Sequence, residues 1–201
     1  MTPFSPIPGT VPSPRALFVD RWGTLLETPE RGHAERPDEV RFFPGAVDSL
    51  FRAVRAGWKI YLLGNEDAVA YGKLQRSAWN DIEAAYLAEL DQAGVLVQRH
   101  YACLSRQDGI DDRQADSVYL LPNTGAFYHA AHTDGVSLEK SWVIGDSTLE
   151  LVAGWRSGCR LAGVRTGEAL RDGAFHVEPE LVGDSVVDVL SVLLERASLS
   201  A

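Results

Sequence analysis

Apolar runs bounded by turn residues alternate along this chain with stretches in which apolar side chains recur every three or four positions. That alternation is the signature of a parallel sheet covered by helices on both faces. The first run, Ala16-Leu-Phe-Val19, ends at Asp20. A helix is predicted over residues 44–57, because Pro44 suits a first turn, Val47, Leu50, Phe51 and Val54 share a face, and Gly57 supplies a stop. Residues 58–63 read as a second strand. A long helix over 77–93, carrying Ile82, Ala85, Tyr86 and Leu90 and closed by Gly94, leads into a third strand at 95–101. The polar stretch 104–117, with Asp108, Asp111, Asp112 and Asp116, predicts a solvated loop. A short helix at 125–132, a strand at 141–144, a helix at 148–156, a strand at 160–164 and an amphipathic helix at 185–196 against the sheet edge complete the pattern.

In open α/β sheets ligands bind beyond the carboxyl ends of the strands. Asp20 ends the first predicted strand and Asp146 follows the fourth. Two carboxylates brought together at one sheet edge attract a hard divalent cation such as Mg²⁺. The plainer reading of either residue alone is an aspartate capping the turn or helix that follows it.

Composition narrows the class. The 201 residues, 45% hydrophobic and 23% charged, suit one globular domain over 15–201 and leave no room for a second of ordinary size. Five prolines (Pro3, Pro6, Pro8, Pro12, Pro14) make residues 1–14 an extended, flexible tail, without the basic start and apolar stretch of a signal peptide. A formal net charge of −9 argues against nucleic acid or an anionic membrane surface as a partner. No apolar run approaches the roughly 18 residues of a membrane span. Two cysteines, Cys103 and Cys159, are too few for a disulfide framework or a four-ligand zinc site, so a reducing, cytoplasmic setting is expected.

The stretch Phe18-Val-Asp20-Arg-Trp22-Gly-Thr24 resembles the first motif of the haloacid dehalogenase (HAD) superfamily, commonly Asp-x-Asp-x-Thr after an apolar strand. Val143-Ile-Gly145-Asp146-Ser-Thr-Leu-Glu150 resembles the fourth, and Ala153-Gly154, Gly158 and Gly163-Val-Arg-Thr-Gly167 extend the likeness. Within the superfamily, Asp20-Arg21, Phe43-Pro-Gly-Ala, Asn65 through Gly72-Lys73 and Val164-Arg-Thr-Gly167 are most similar to the capless branch of histidinol-phosphate and heptose-bisphosphate phosphatases. The resemblance implies a three-layer, Rossmann-like core without a large cap domain. It also implies a nucleophile at Asp20, a Mg²⁺ site made by Asp20, the carbonyl of Trp22 and Asp146, and a water-holding role for Glu150. Arg21, Gly64, Asn65 and Lys73 fall where family members line the phosphate site, with Lys73 and Arg165 further candidate cations.

Three departures accompany this likeness. Trp22 stands at the general-acid position, and an indole N–H does not supply a proton near neutral pH. Gly64 replaces a phosphate-binding Thr or Ser, and Leu121 aligns with a charge-neutralising lysine. General acid catalysis commonly contributes about 10²–10⁴ in rate, and one electrostatic donor about 10²–10³. The expected function is therefore a pseudophosphatase that binds a phosphorylated ligand, a metal or a protein partner with impaired or no turnover. The alternative is a Mg²⁺-dependent phosphomonoesterase acting on a small phosphorylated metabolite. A dehalogenase-like hydrolase is the minor alternative, because only 43 residues between Asp20 and Gly64 leave no space for a helical cap. Cys103 falls near the first position of the branch's zinc loop, but no Cys-x-Cys follows before Leu121, so zinc is not expected.

Overall fold

The structure is a computed structural model that describes residues 13–104 and 117–199. Residues 105–116 of the loop expected at 104–117, and most of the proline-rich tail, lie outside the described residues.

Six parallel strands form one sheet: β1 (Ala16–Asp20), β2 (Lys59–Asn65), β3 (Val97–Cys103), β4 (Trp142–Gly145), β5 (Arg160–Val164) and β6 (Leu181–Gly183). Their spatial order is β3-β2-β1-β4-β5-β6. The chain runs outward from β1 to β3, then returns to the other side of β1 and runs outward again. Such a reversal opens a crevice at the carboxyl ends of the two central strands. Val19 pairs with Ile144, so Asp20 at the end of β1 lies beside the Gly145-Asp146 exit from β4.

The helices are α1 (Ala46–Arg55), the single turn α2 (Asp67–Ala70), α3 (Arg76–Gln92), α4 (Gly125–Asp134), α5 (Thr148–Arg156) and α6 (Val186–Ser198). Strand side chains alternate between the two faces, and the core divides accordingly. Leu17, Val19, Ile60 and Leu62 pack with Leu50 of α1, Trp79, Ile82 and Tyr86 of α3, and Val189 and Leu190 of α6. Phe18, Tyr61 and Leu63 point the other way, against Phe127 of α4 and Leu151 of α5. Burying each of these large apolar side chains contributes about 1.5–3 kcal/mol, and both layers depend on it. Gly154 is the close-approach point of α5, since a Cβ there would stand 2.4 Å from Val143 Cγ2.

Local signals explain the helix ends. Ser147 Oγ accepts from Leu149 N–H at the start of α5, and Ser185 and Asp188 form a reciprocal capping box on α6. Gly135, in the left-handed region at φ 68°, ends α4. Phe51, expected on the buried face of α1, is exposed, whereas Leu50 and Ala53 are buried where α6 packs across α1.

Candidate active site

Asp20, Asp146 and Glu150 are buried at the carboxyl ends of β1 and β4 and line one hollow of about 560 Å³ with Trp22, Asn65, Phe43 and Glu168. Asp20 arrives there as the last residue of β1. Behind it the chain folds back sharply, and the N–H groups of Leu25 and Leu26 donate to the Arg21 carbonyl at 2.9 and 2.8 Å. Asp146 is the most tightly held member. Its Oδ2 accepts the Glu168 N–H at 2.7 Å, its Oδ1 accepts the Thr24 hydroxyl at 3.4 Å, and its carbonyl accepts the Leu170 N–H at 2.6 Å. A Cβ at Gly23 or Gly167 would lie 2.1 or 2.0 Å from Asp146 Oδ2, so two glycines form a cradle that no other residue could replace without moving the carboxylate. The loop that supplies Gly167 and Glu168 also holds Ala169 and Leu170 at φ 53° and 62°. A non-glycine residue there costs about 1–3 kcal/mol, and such strain persists only where the surroundings impose it.

Crowding shapes the electrostatics. Burial, then Glu150 and Asp146, hold the Asp20 carboxyl well above its ordinary range. Burial pushes Asp146 up to about 6 against the pull of the Glu168 N–H. Burial likewise pushes Glu150 up to about 7, opposed by the Ser147 hydroxyl that donates to it. Buried oxygen donors of like charge that resist ionisation are the chemistry a hard divalent cation relieves. The donor set of Asp20, the Trp22 carbonyl and Asp146 therefore fits Mg²⁺. Among the described residues no group of three His, Cys, Asp or Glu side chains is arranged to hold a metal. The expected set needs only two carboxylates and a carbonyl.

Two expected ligand-binding side chains lie elsewhere. Arg21 is 1% exposed and turns beneath the site. It donates to the Leu63 carbonyl at 3.3 Å and to Glu66 Oε2 at 3.1 Å, and stacks over Trp79 at 5.0 Å. The expectation that it contacts a ligand is corrected by this burial. Lys73 is exposed and lines neither this hollow nor the adjoining one; it follows Gly72, whose φ is 71°. Gly64 adopts φ 145°, and a Cβ there would meet Asp20 Oδ1 at 2.8 Å and Arg21 Nη2 at 3.0 Å. Asn65 borders the hollow, but its side-chain amide is engaged with the Leu121 backbone in both directions, at 2.9 and 3.2 Å. Leu121 itself is a core side chain packed near Phe127. Arg165 pairs with Asp184 on the surface at 2.8 Å.

Sequence reasoning assigned no role to Glu66, Thr24, Glu27, Asp67 and Glu168. Glu66 is buried and receives both the Arg21 guanidinium and the Trp22 indole N–H, the latter at 3.2 Å. A carboxylate directly after a strand-ending Asn was the available signal. Burial pushes the Glu66 carboxyl up, and Arg21 and Trp22 restrain it.

The sheet order and the placement of the strand-end motifs are those of the capless, Rossmann-like HAD fold. The HAD-hydrolase-like family model matches residues 121–189. Two relatives narrow the likeness. The D-glycero-β-D-manno-heptose-1,7-bisphosphate 7-phosphatase of Mesorhizobium japonicum is 26% identical over 179 residues, covering 89% of this chain and 82% of its own. The D-glycero-D-manno-heptose-1,7-bisphosphate 7-phosphatase of Thermosynechococcus vestitus is 29% identical over 160 residues, covering 76% and 79%. Among solved structures, the D,D-heptose 1,7-bisphosphate phosphatase of B. bronchiseptica complexed with magnesium and phosphate aligns with a TM-score of 0.76 at 26% identity, over 90% of this chain and 99% of that one. These phosphatase relatives span nearly the whole fold and overturn the expectation of a pseudophosphatase. The replacements at positions 22, 64 and 121 leave Asp20 and Asp146 side by side in the hollow.

Proposed function

We propose that this protein is a Mg²⁺-dependent phosphomonoesterase that hydrolyses a small phosphorylated sugar through an aspartyl-phosphate on Asp20. The observation that carries the reading is the juxtaposition of Asp20 and Asp146 at the ends of paired strands β1 and β4, with Asp146 gripped by Gly23 and Gly167. The 7-phosphatase names of its relatives support the sugar-phosphate class.

Asp20, the Trp22 carbonyl and Asp146 would hold Mg²⁺, which would supply positive charge favouring the ionised Asp20 carboxylate and offsetting charge on the phosphoryl oxygens. An Asp20 carboxylate oxygen attacks phosphorus and the P–O bond to the sugar breaks. Trp22 offers no proton, its indole N–H being tied to Glu66, so the departing oxygen takes its proton from water. A second water then attacks phosphorus, releasing inorganic phosphate and restoring the carboxylate. The route favours leaving groups of low basicity. Cys103 and Cys159, both buried free thiols, suit the reducing cytoplasm where such metabolites occur.

The test is phosphate release from a panel of sugar phosphates with Mg²⁺, comparing the wild type with Asp20→Asn. Turnover lost in the variant and on chelation is the expected outcome. Equal rates for the two proteins would refute it.

A further inference from the structure

We infer that Asp172 is a positioning residue of this site: it ties the loop that holds Asp146 to the start of α5 and thereby sets how tightly the site takes Mg²⁺. The inference rests on the proposed function in taking Asp146 as a cation donor, and it adds a residue outside the hollow that controls that donor.

The loop leaving β5 fixes Asp146 through its backbone. The Glu168 N–H donates to Asp146 Oδ2 at 2.7 Å, and the Leu170 N–H donates to the Asp146 carbonyl at 2.6 Å. Between and at these contacts Ala169 and Leu170 hold φ at 53° and 62°, a conformation that residues with side chains leave unless their surroundings impose it. Two anchors impose it here. One is the Leu170 side chain, seated so closely on β5 that a Cβ at Gly163 would stand 2.6 Å from Leu170 Cδ1. The other is Asp172. Its Oδ1 accepts the Thr148 N–H at 2.9 Å and its Oδ2 accepts the Thr148 hydroxyl at 2.6 Å. Thr148 Oγ1 in turn accepts the Phe175 N–H at 3.0 Å, so the loop is bonded to Thr148 at two points.

Thr148 is buried and lies two positions after Asp146; Asp172 lies two positions after Leu170. The strained pair is therefore clamped between Asp146 on one side and Thr148 on the other. Although burial pushes it up, the Thr148 hydroxyl and N–H outweigh that effect and hold the Asp172 carboxyl below the ordinary carboxylate range. An ionised Asp172 also meets a first-turn N–H of α5, where the helix dipole favours negative charge. Capping alone would stabilise α5 and leave the site unchanged. Positioning predicts more: with the tie cut, Ala169 and Leu170 relax, the Glu168 N–H withdraws and Asp146 Oδ2 loses the donor that orients it. Residues that orient a metal ligand in this way commonly control metal affinity by about 10–100-fold.

The deciding experiment measures Mg²⁺ binding to the full chain by titration calorimetry, together with the Mg²⁺ concentration giving half-maximal phosphate release. The variants are Asp172→Ala, Asp172→Asn, Thr148→Val and Thr148→Ser. Ser185→Ala serves as a control that removes the cap of α6 away from the site. Asp172→Ala and Thr148→Val should weaken Mg²⁺ binding by about 10–100-fold, while kcat at saturating Mg²⁺ changes little. Asp172→Asn, which keeps an oxygen for the Thr148 N–H, should lose less, and Thr148→Ser, which keeps the hydroxyl, should bind Mg²⁺ like the wild type. Ser185→Ala should melt earlier with an unchanged Mg²⁺ Kd. If Asp172→Ala does not fold, the Thr148 pair and Asp172→Asn decide by the same criterion. Asp172→Asn and Thr148→Val proteins that melt earlier yet bind Mg²⁺ as tightly as the wild type would reduce Asp172 to a helix cap and overturn the inference, as would a wild type that binds no Mg²⁺. Mg²⁺ binding that responds to these variants in a protein releasing no phosphate from any ester would remove the hydrolase reading and leave this inference standing.

Discussion

Replacing Gly167 by alanine tests whether the cradle around Asp146 is a steric device. Two costs arise. The first is conformational: at φ 57° an alanine adopts the left-handed region, at about 1–2 kcal/mol. The second is specific, since the new Cβ would stand 2.0 Å from Asp146 Oδ2 and 2.6 Å from Gly23 Cα. Relieving that overlap moves the carboxylate by about an ångström, an amount set by normal van der Waals separation, and breaks its bond from the Glu168 N–H. A hydrogen bond to a charged group contributes about 1.5–3 kcal/mol. Gly158→Ala isolates the first cost, because Gly158 has φ 80° and nothing within 4 Å of the added Cβ. The expected losses are about 1–2 kcal/mol for Gly158→Ala and about 3–5 kcal/mol for Gly167→Ala. In a chain of this length the difference amounts to roughly 4–12 °C in Tm. Urea unfolding and thermal melts measure the stability, and melts repeated with added Mg²⁺ measure cation binding. Gly167→Ala should lose the Mg²⁺-induced rise in Tm and Gly158→Ala should keep it. Equal destabilisation of the two variants with unchanged Mg²⁺ response would refute the steric argument.

Restoring an acid with Trp22→Asp should raise turnover of alkyl phosphates by about 10–100-fold while leaving aryl phosphates nearly unchanged, which a leaving-group series would reveal; a uniform change would contradict the assignment of position 22. Asp134, hydrogen-bonded by Arg99 at 3.0 and 3.1 Å and by the Tyr61 hydroxyl, is held below the usual carboxylate range first by Arg99. A lowered folded-state pKa gives stability that is present above the unfolded value of about 3.9 and is lost as pH falls through the folded value. Asp134→Asn should therefore be less stable than wild type at pH 7, and denaturant curves should show the gap closing below about pH 4. Gly154→Ala should cost about 1–3 kcal/mol, because its Cβ overlaps Val143 on the central strand β4; a wild-type unfolding midpoint would show that α5 can lift away freely.

The central strands were legible because they are long enough to be apolar and end in chemistry. The helix over Thr148–Arg156 and the strand Arg160–Val164 coincide with their predicted bounds, since Ser147 and Gly158 punctuate them locally. Strand β6 was missed: three residues, Leu181–Gly183, carry no periodicity, and their pairing to β5 is set by tertiary contact alone. Single-turn α2 escaped for the same reason. Asp20 and Asp146 could be brought together on paper by topology. The direction of Arg21 could not, since it depends on an acceptor 45 positions away, Glu66, and on the ring of Trp79. An exposed cation and a buried one look alike in a string of letters. The helper residues around Asp146 were hidden because their contribution is a backbone N–H or a missing side chain.

The pairing of Gly64 with Arg21 bears on how this chain could change by descent. A hydroxyl-bearing residue at position 64 would need both an unusual φ and the space already filled by Asp20 Oδ1 and the guanidinium. The guanidinium cannot withdraw cheaply, because removing it strands Glu66 in the interior, a loss of about 3–5 kcal/mol for a broken buried pair. In this chain a serine or threonine at position 64 therefore meets the guanidinium and Asp20 together, so its tolerance is coupled to positions 21 and 66. A single substitution at 64 and one made together with changes at 21 and 66 are not equivalent experiments.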